Sequence, residues 1–385
     1  MIRTLWPGPR VFLRLYSSGP GVPKGTAGMA PGVAPGVSPS AAPSAAPSVV
    51  PGAAVYGIGP GGPGGPDGKP PRPTLAERFV NALPKSAQPY ARLSRMDKPI
   101  GTWLLYAPCT WSLTMGSVMA AVPPATLGYY LGVYLLGAWL TRGAGCTIND
   151  IWDRDLDRGV ARTTTRPLAA GDVTTRQAVA WLGVQGVASL GVLASLPREC
   201  WAVGALSIAP VLVYPLFKRF TYYPQIWLSI WFSWGTVMGF PALGLSLTNP
   251  TVLATATSLL TSAFSWSMIY DTIYGHQDKK DDIRVGVKST ALKWGARTKK
   301  IAYRFWGLQS LSLIAAGSFA GMGPGFLTGA IVAMGNLLRM IVRVDLNNPA
   351  SCGQFFKKNL KNGVFIWAGA LLDYYMMLSF FFYQV

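Results

Sequence analysis

The stretch TLGYYLGVYLLGAWLTRGAGCTINDIWDRDLD, residues 126–157, decides the reading of this chain, because an apolar run leads directly into a cluster of aspartates. A helix needs ~20 mostly apolar residues to cross a ~30 Å hydrocarbon layer, and this run is long enough. Its end carries Asn149, Asp150, Asp153, Asp155 and Asp157. Asn149, Asp153 and Asp157 step by four, which stacks them on one helical face. A second cluster follows in YDTIYGHQDKKDD at 270–282, with Asp271, Asp278, Asp281 and Asp282. Of 15 acidic residues in the chain, eight lie in these two stretches, so chance does not account for them.

Outward from the clusters the chain is apolar: 385 residues, 50% hydrophobic and only 13% charged, against about a quarter charged in a soluble domain. An all-α polytopic membrane protein is expected. Nine spans are predicted, at 99–120, 125–147, 177–196, 200–217, 225–246, 251–273, 301–320, 322–342 and 363–384. The segments 148–176, 218–223, 276–300 and 339–361 hold 20 Lys or Arg residues, while the opposite-side loops hold one, Arg198. By the positive-inside rule these basic segments and both aspartate clusters face one compartment. The net charge of +19 is spread between spans rather than gathered in one patch, so nucleic acid is not expected as a partner.

The first 18 residues hold Arg3, Arg10 and Arg14, and no acid occurs before Asp67, as in a mitochondrial transit peptide. Basic residues interrupt the apolar runs that a secretory signal would need. The transit peptide and a Pro-, Gly- and Ala-rich leader fill residues 1–73, a composition unable to bury a core. Residues 74–98 read as an amphipathic interfacial segment, and 99–385 as the transmembrane domain. The basic loops then face the mitochondrial matrix. Cys109, Cys146, Cys200 and Cys352 have no CxxC spacing and read as buried free thiols.

Carboxylates this close repel one another unless a cation sits among them, and magnesium suits such oxygen donors. Arg166 and Lys218, at the same membrane face, add positive charge suited to an anionic leaving group, or serve as ordinary interfacial anchors. Arg142 lies inside the second span, two helical turns before Asn149, and suits either an anionic acceptor or a pair with Asp271. Asp155 reads as a bystander paired to Arg154 or Arg158. His276 is the only histidine, which excludes two-His metal sites and Ser-His-Asp triads, and reads as a local hydrogen-bonding group. Asp373 has no partner recognisable from the sequence.

RLSRMDKPIGTWLL at 92–105, the run 142–171, YPLFKR at 214–219 and YDTIYGHQDKKDDIRVGVKSTAL at 270–292 together resemble the UbiA superfamily of intramembrane aromatic prenyltransferases, over about residues 88–385. The resemblance implies about nine helices around a central cavity open to lipid. It implies Mg2+ held by Asn149, Asp150, Asp153 and Asp157 on one side and Asp278 and Asp282 on the other. Arg166, Tyr214 and Lys218 would hold diphosphate. Arg142, Asn149 and Asp271 would meet the aromatic acceptor, Arg142 and Asp271 being catalytic. Within the superfamily, the pattern is that of members using polyprenyl diphosphate and 4-hydroxybenzoate at the mitochondrial inner membrane for ubiquinone, where quinone-pathway enzymes on the matrix loops are further partners. Trp103, Tyr214 and Trp234 are candidates to steady an allylic cation. The alternatives are another acceptor, such as haem, homogentisate or a naphthoate, and a transporter, which would not need two carboxylate clusters at one face.

Overall fold

Apolar stretches bounded by proline or by side-chain caps set the elements of this chain. The computed structural model describes residues 72–382 except position 161, so nearly all of the leader expected over 1–73 lies outside the described residues. A Thr74–Glu77 capping box starts α1 (Leu75–Ala82), and Pro84 separates it from α2 (Gln88–Leu93). The interfacial segment is therefore two short helices. There follow α3 (Ile100–Met119), α4 (Pro124–Asp157), α5 (Pro167–Ala170), α6 (Thr175–Ala194), α7 (Glu199–Leu206) and α8 (Ile208–Phe220). Next come α9 (Pro224–Ser233), α10 (Gly235–Ala242), α11 (Pro250–Gly275), a 3-10 turn His276–Asp278, α12 (Lys279–Val285) and α13 (Thr290–Trp294). The chain ends with α14 (Thr298–Phe319), α15 (Pro324–Arg343), α16 (Pro349–Lys358) and α17 (Leu360–Phe382).

No strand occurs among the described residues. The segments Thr175–Ala194, Glu199–Phe220, Pro250–Val285 and Pro324–Arg343 are long and apolar enough to cross a membrane. The stretch expected as one span at 200–217 divides into α7 and α8, because Pro210 has no N–H to give the carbonyl of Leu206. The expected span at 125–147 instead belongs to a helix of 34 residues, roughly 51 Å long at 1.5 Å per residue. The first aspartate cluster therefore rides on the same rigid rod as the apolar run. It is not in a loop.

Helix contacts run from α4 to α3, α17, α15, α14, α11, α9 and α8, and return to α4. Almost every residue of α3 is buried, including Thr110, Ser112 and Thr114. Two of its buried hydroxyls find carbonyl partners: Thr110 Oγ1 donates to the Ala107 carbonyl at 2.7 Å and Ser112 Oγ to that of Gly235 at 2.8 Å. On the far side α15 and α17 touch backbone to backbone, since a Cβ on Gly329 would stand 2.3 Å from the Phe365 carbonyl.

Helix α15 begins in GMGPG and has no capping side chain of its own. Asp373 on α17 supplies one. Its Oδ2 accepts the N–H groups of Gly323 and Phe326 at 2.7 and 2.9 Å, and its Oδ1 that of Gly325 at 2.8 Å. A negative charge at a helix N-terminus also matches the helix dipole. Asp373→Ala is expected to cost roughly 2–4 kcal/mol by stranding these donors, measured as a lowered midpoint of thermal unfolding in detergent. Asp373→Asn should recover part of that loss.

Candidate active site

The last turns of α4 carry the first cluster, and cations from three other segments converge on it. Lys218, from the end of α8, donates to Asn149 Oδ1 at 2.9 Å and Asp153 Oδ2 at 2.6 Å. Its ammonium also lies 4.7 Å from the ring centre of Tyr214, one helical turn earlier. The same charge acts on Asp157 and on Asp271 and Asp282 of the second cluster, so both clusters share one electrostatic field.

Arg166 bridges two aspartates, donating from Nη1 to Asp150 Oδ1 at 3.1 Å and to Asp157 Oδ2 at 2.7 Å. Arg95, just after α2, grips Asp150 with one nitrogen at 2.7 and 2.9 Å from its two oxygens. Asp150 is wholly buried, and guanidinium groups take up its carboxylate. Arg95 reaches it from a left-handed backbone conformation, φ 58°, that costs an L-residue about 1–3 kcal/mol. Across the site, Arg162 donates to Asp278 Oδ1 at 2.8 Å and also bonds the Tyr274 hydroxyl, its guanidinium lying over that ring.

Several oxygens are left over. Asp153 Oδ1 is buried without a hydrogen-bond partner. Among the described residues no hydrogen bond reaches the side chains of Asp271 or Asp282. No three His, Cys, Asp or Glu groups among the described residues converge closely enough to hold a metal on their own. Hard carboxylate and amide oxygens with one orphaned atom still fit Mg2+, which commonly takes one or two carboxylates and completes its shell with water and substrate phosphates.

The UbiA prenyltransferase family model matches residues 107–369. This chain belongs to that family. It is 47% identical over 302 residues, 78% of this chain and 80% of the other, to a Saccharomyces cerevisiae protein named 4-hydroxybenzoate polyprenyltransferase, mitochondrial. Among solved structures, a UbiA homolog from Aeropyrum pernix K1 in its apo form shares the fold at TM-score 0.58 and 23% identity, covering 70% of this chain and 97% of its own. An Archaeoglobus fulgidus UbiA homolog bound to GPP and Mg2+ aligns at TM-score 0.51 and 18% identity, covering 76% and 99%.

Other expected residues of this UbiA-family chain fall at different depths. Arg142 lies with its guanidinium 5.4 Å from the Phe232 ring centre, and its buried Nε has no partner. Gly101 makes room for it: a Cβ there would stand 2.6 Å from Nε. Arg142 and Asp271 do not form an ion pair, although they interact through space. Trp234 gives its N–H to the Val203 carbonyl at 2.7 Å, and Trp103 is exposed. His276 bonds Thr298 Oγ1 at 3.0 Å. Asp155 is exposed and pairs with Arg154 and Arg158.

Sequence reasoning left Arg95 and Arg162 outside the site. Their only signal was arginine beside a proline-led span or beside the first cluster. Asp150→Asn, which frees Arg95 and Arg166, is expected to lower turnover roughly 10–100-fold. Asp155→Asn should leave turnover, measured on the purified chain in detergent, within about twofold of the parent value.

Proposed function

We propose that this chain is a magnesium-dependent aromatic prenyltransferase that moves a polyprenyl chain from polyprenyl diphosphate to the carbon ortho to the hydroxyl of 4-hydroxybenzoate, giving 3-polyprenyl-4-hydroxybenzoate for ubiquinone. The observation that carries this is the 47% identity to a protein of that name over most of both chains. Two aspartate clusters in one electrostatic field supply the matching chemistry. The chain crosses the mitochondrial inner membrane nine times around a central cavity, with the site toward the matrix. The charge asymmetry of its loops supports this orientation.

Asn149, Asp153 and Asp157 from one cluster and Asp278 and Asp282 from the other would hold Mg2+ and the diphosphate, Asp150 acting through Arg95 and Arg166. Magnesium, when bound, supplies positive charge to the departing diphosphate. Lys218 and Arg166 now rest on aspartates, and turn to diphosphate oxygens as the allylic C–O bond ionises. Tyr214 fixes the ammonium of Lys218. The surrounding helices exclude water, which would otherwise quench the allylic cation.

Arg142, seated between Gly101 and Phe232, holds the acceptor carboxylate with its unpaired Nε and terminal nitrogens. Asp271, whose carboxylate is unbonded, accepts the phenol hydrogen bond and raises electron density at the ortho carbon. That carbon attacks the cation, and its proton passes to Asp271 or the released diphosphate, which restores the aromatic ring.

Purified protein with radiolabelled polyprenyl diphosphate and 4-hydroxybenzoate should form lipid-soluble product only with Mg2+, and a chelator should abolish it. Asp153→Ala or Asp278→Ala should remove at least ~99% of turnover. Unchanged turnover in either variant would falsify the reading. Gly101→Ala, which displaces Arg142, should raise KM for 4-hydroxybenzoate about tenfold or more and leave KM for the diphosphate near its parent value.

A further inference from the structure

A pair of cations beside the site has no carboxylate to answer it. Lys288, in the segment after α12, and Lys293, on α13, both lie over the ring of Tyr222, at 5.7 and 5.5 Å from its centre. The salt bridges among the described residues lie at other residues, and the Lys288 ammonium finds only the Phe220 carbonyl, at 3.3 Å. Two ammonium groups sharing one ring repel each other unless an anion lies between them.

The depth of this pair in the fold identifies the anion. Phe220 is 75% exposed, and Tyr222 and Tyr223 are also exposed, where apolar α8 gives way to the basic connection. Exposed aromatic residues at such a junction mark the headgroup level of a bilayer. A pair of basic side chains at that level fits a lipid phosphate.

The position also couples to the site. The Lys288 N–H donates to the Lys218 carbonyl at 3.0 Å, and the Val287 N–H to the Asp282 carbonyl at 3.0 Å. The strap that carries Lys288 is therefore bonded to one residue from each side of the diphosphate site. It also walls a cavity of about 340 Å³ that reaches Lys218.

We propose that Lys288, Lys293 and Tyr222 bind the phosphate of an anionic phospholipid, and that this lipid braces the strap holding Lys218 and Asp282. The kinetic arm rests on the prenyl-transfer reading, and the binding arm does not. In nanodiscs, adding about 20% phosphatidylglycerol to phosphatidylcholine should lower the parent chain's KM for polyprenyl diphosphate about fivefold. That direction is diagnostic, because an anionic surface by itself repels an anionic substrate.

The Lys288→Gln, Lys293→Gln double variant should keep the neutral-disc KM and its unfolding midpoint but lose the response. Spin-labelled phosphatidylglycerol should be immobilised by the parent chain and not by the variant. Equal immobilisation by both, or an equal KM response, overturns the proposal. So does a KM decrease produced by inorganic phosphate in neutral discs, which would assign the lysine pair to free phosphate. Absence of prenyl transfer with intact lipid immobilisation would instead overturn the functional reading alone.

Discussion

A carboxylate buried among apolar helices is tolerable only when a cation answers it, and the end of this bundle is built around that requirement. Asp150 is held by Arg95 and Arg166, Asp157 by Arg166, Asp153 by Lys218 and Asp278 by Arg162. These cations come from the segment after α2, the connection after α4 and the end of α8. Removing one partner of the buried pairs at Asp150 and Asp153 costs about 3–5 kcal/mol, whereas an exposed pair such as Arg154 with Asp155 is worth at most about 1. The pairs thus draw otherwise independent surface segments onto one site.

The same pairing prepares the chemistry. On the proposed reading, Lys218 and Arg166 stand where the diphosphate would lie, because Asp153 and Asp157, which they contact, are assigned to the metal. Bound magnesium diphosphate would offer Asp153 and Asp157 a cation and Lys218 and Arg166 an anion, so each charge would keep a partner. Arg142 follows a different logic. It is held by shape, between the absent side chain of Gly101 and the ring of Phe232, and its Nε stays free for a ligand.

The helical class and the two clusters were legible because charges are scarce in this sequence and their positions stand out. The residues that complete the site were less so. Arg95 read as one more basic residue of an amphipathic segment, since its partner Asp150 is 55 residues away and a left-handed arginine leaves no composition signal. Arg162 could not be told from Arg158, one turn earlier, which pairs with exposed Asp155. Asp373 lacked a partner in the sequence because its partners are backbone N–H groups. The clue lay in GMGPG, a helix start with no cap of its own. Asp150, off the four-residue step of Asn149, Asp153 and Asp157, counted with the metal set only through the resemblance, and it is buried against two arginines.

If the two clusters hold a metal only together with diphosphate, titration calorimetry on the purified chain will show the two ligands binding as one. Mg2+ alone and inorganic diphosphate alone should each bind weakly, and each should tighten the other at least about tenfold, a coupling of ~1.4 kcal/mol. Asp278→Asn should remove that coupling. Equally tight Mg2+ binding with and without diphosphate, unchanged in Asp278→Asn, would contradict the account.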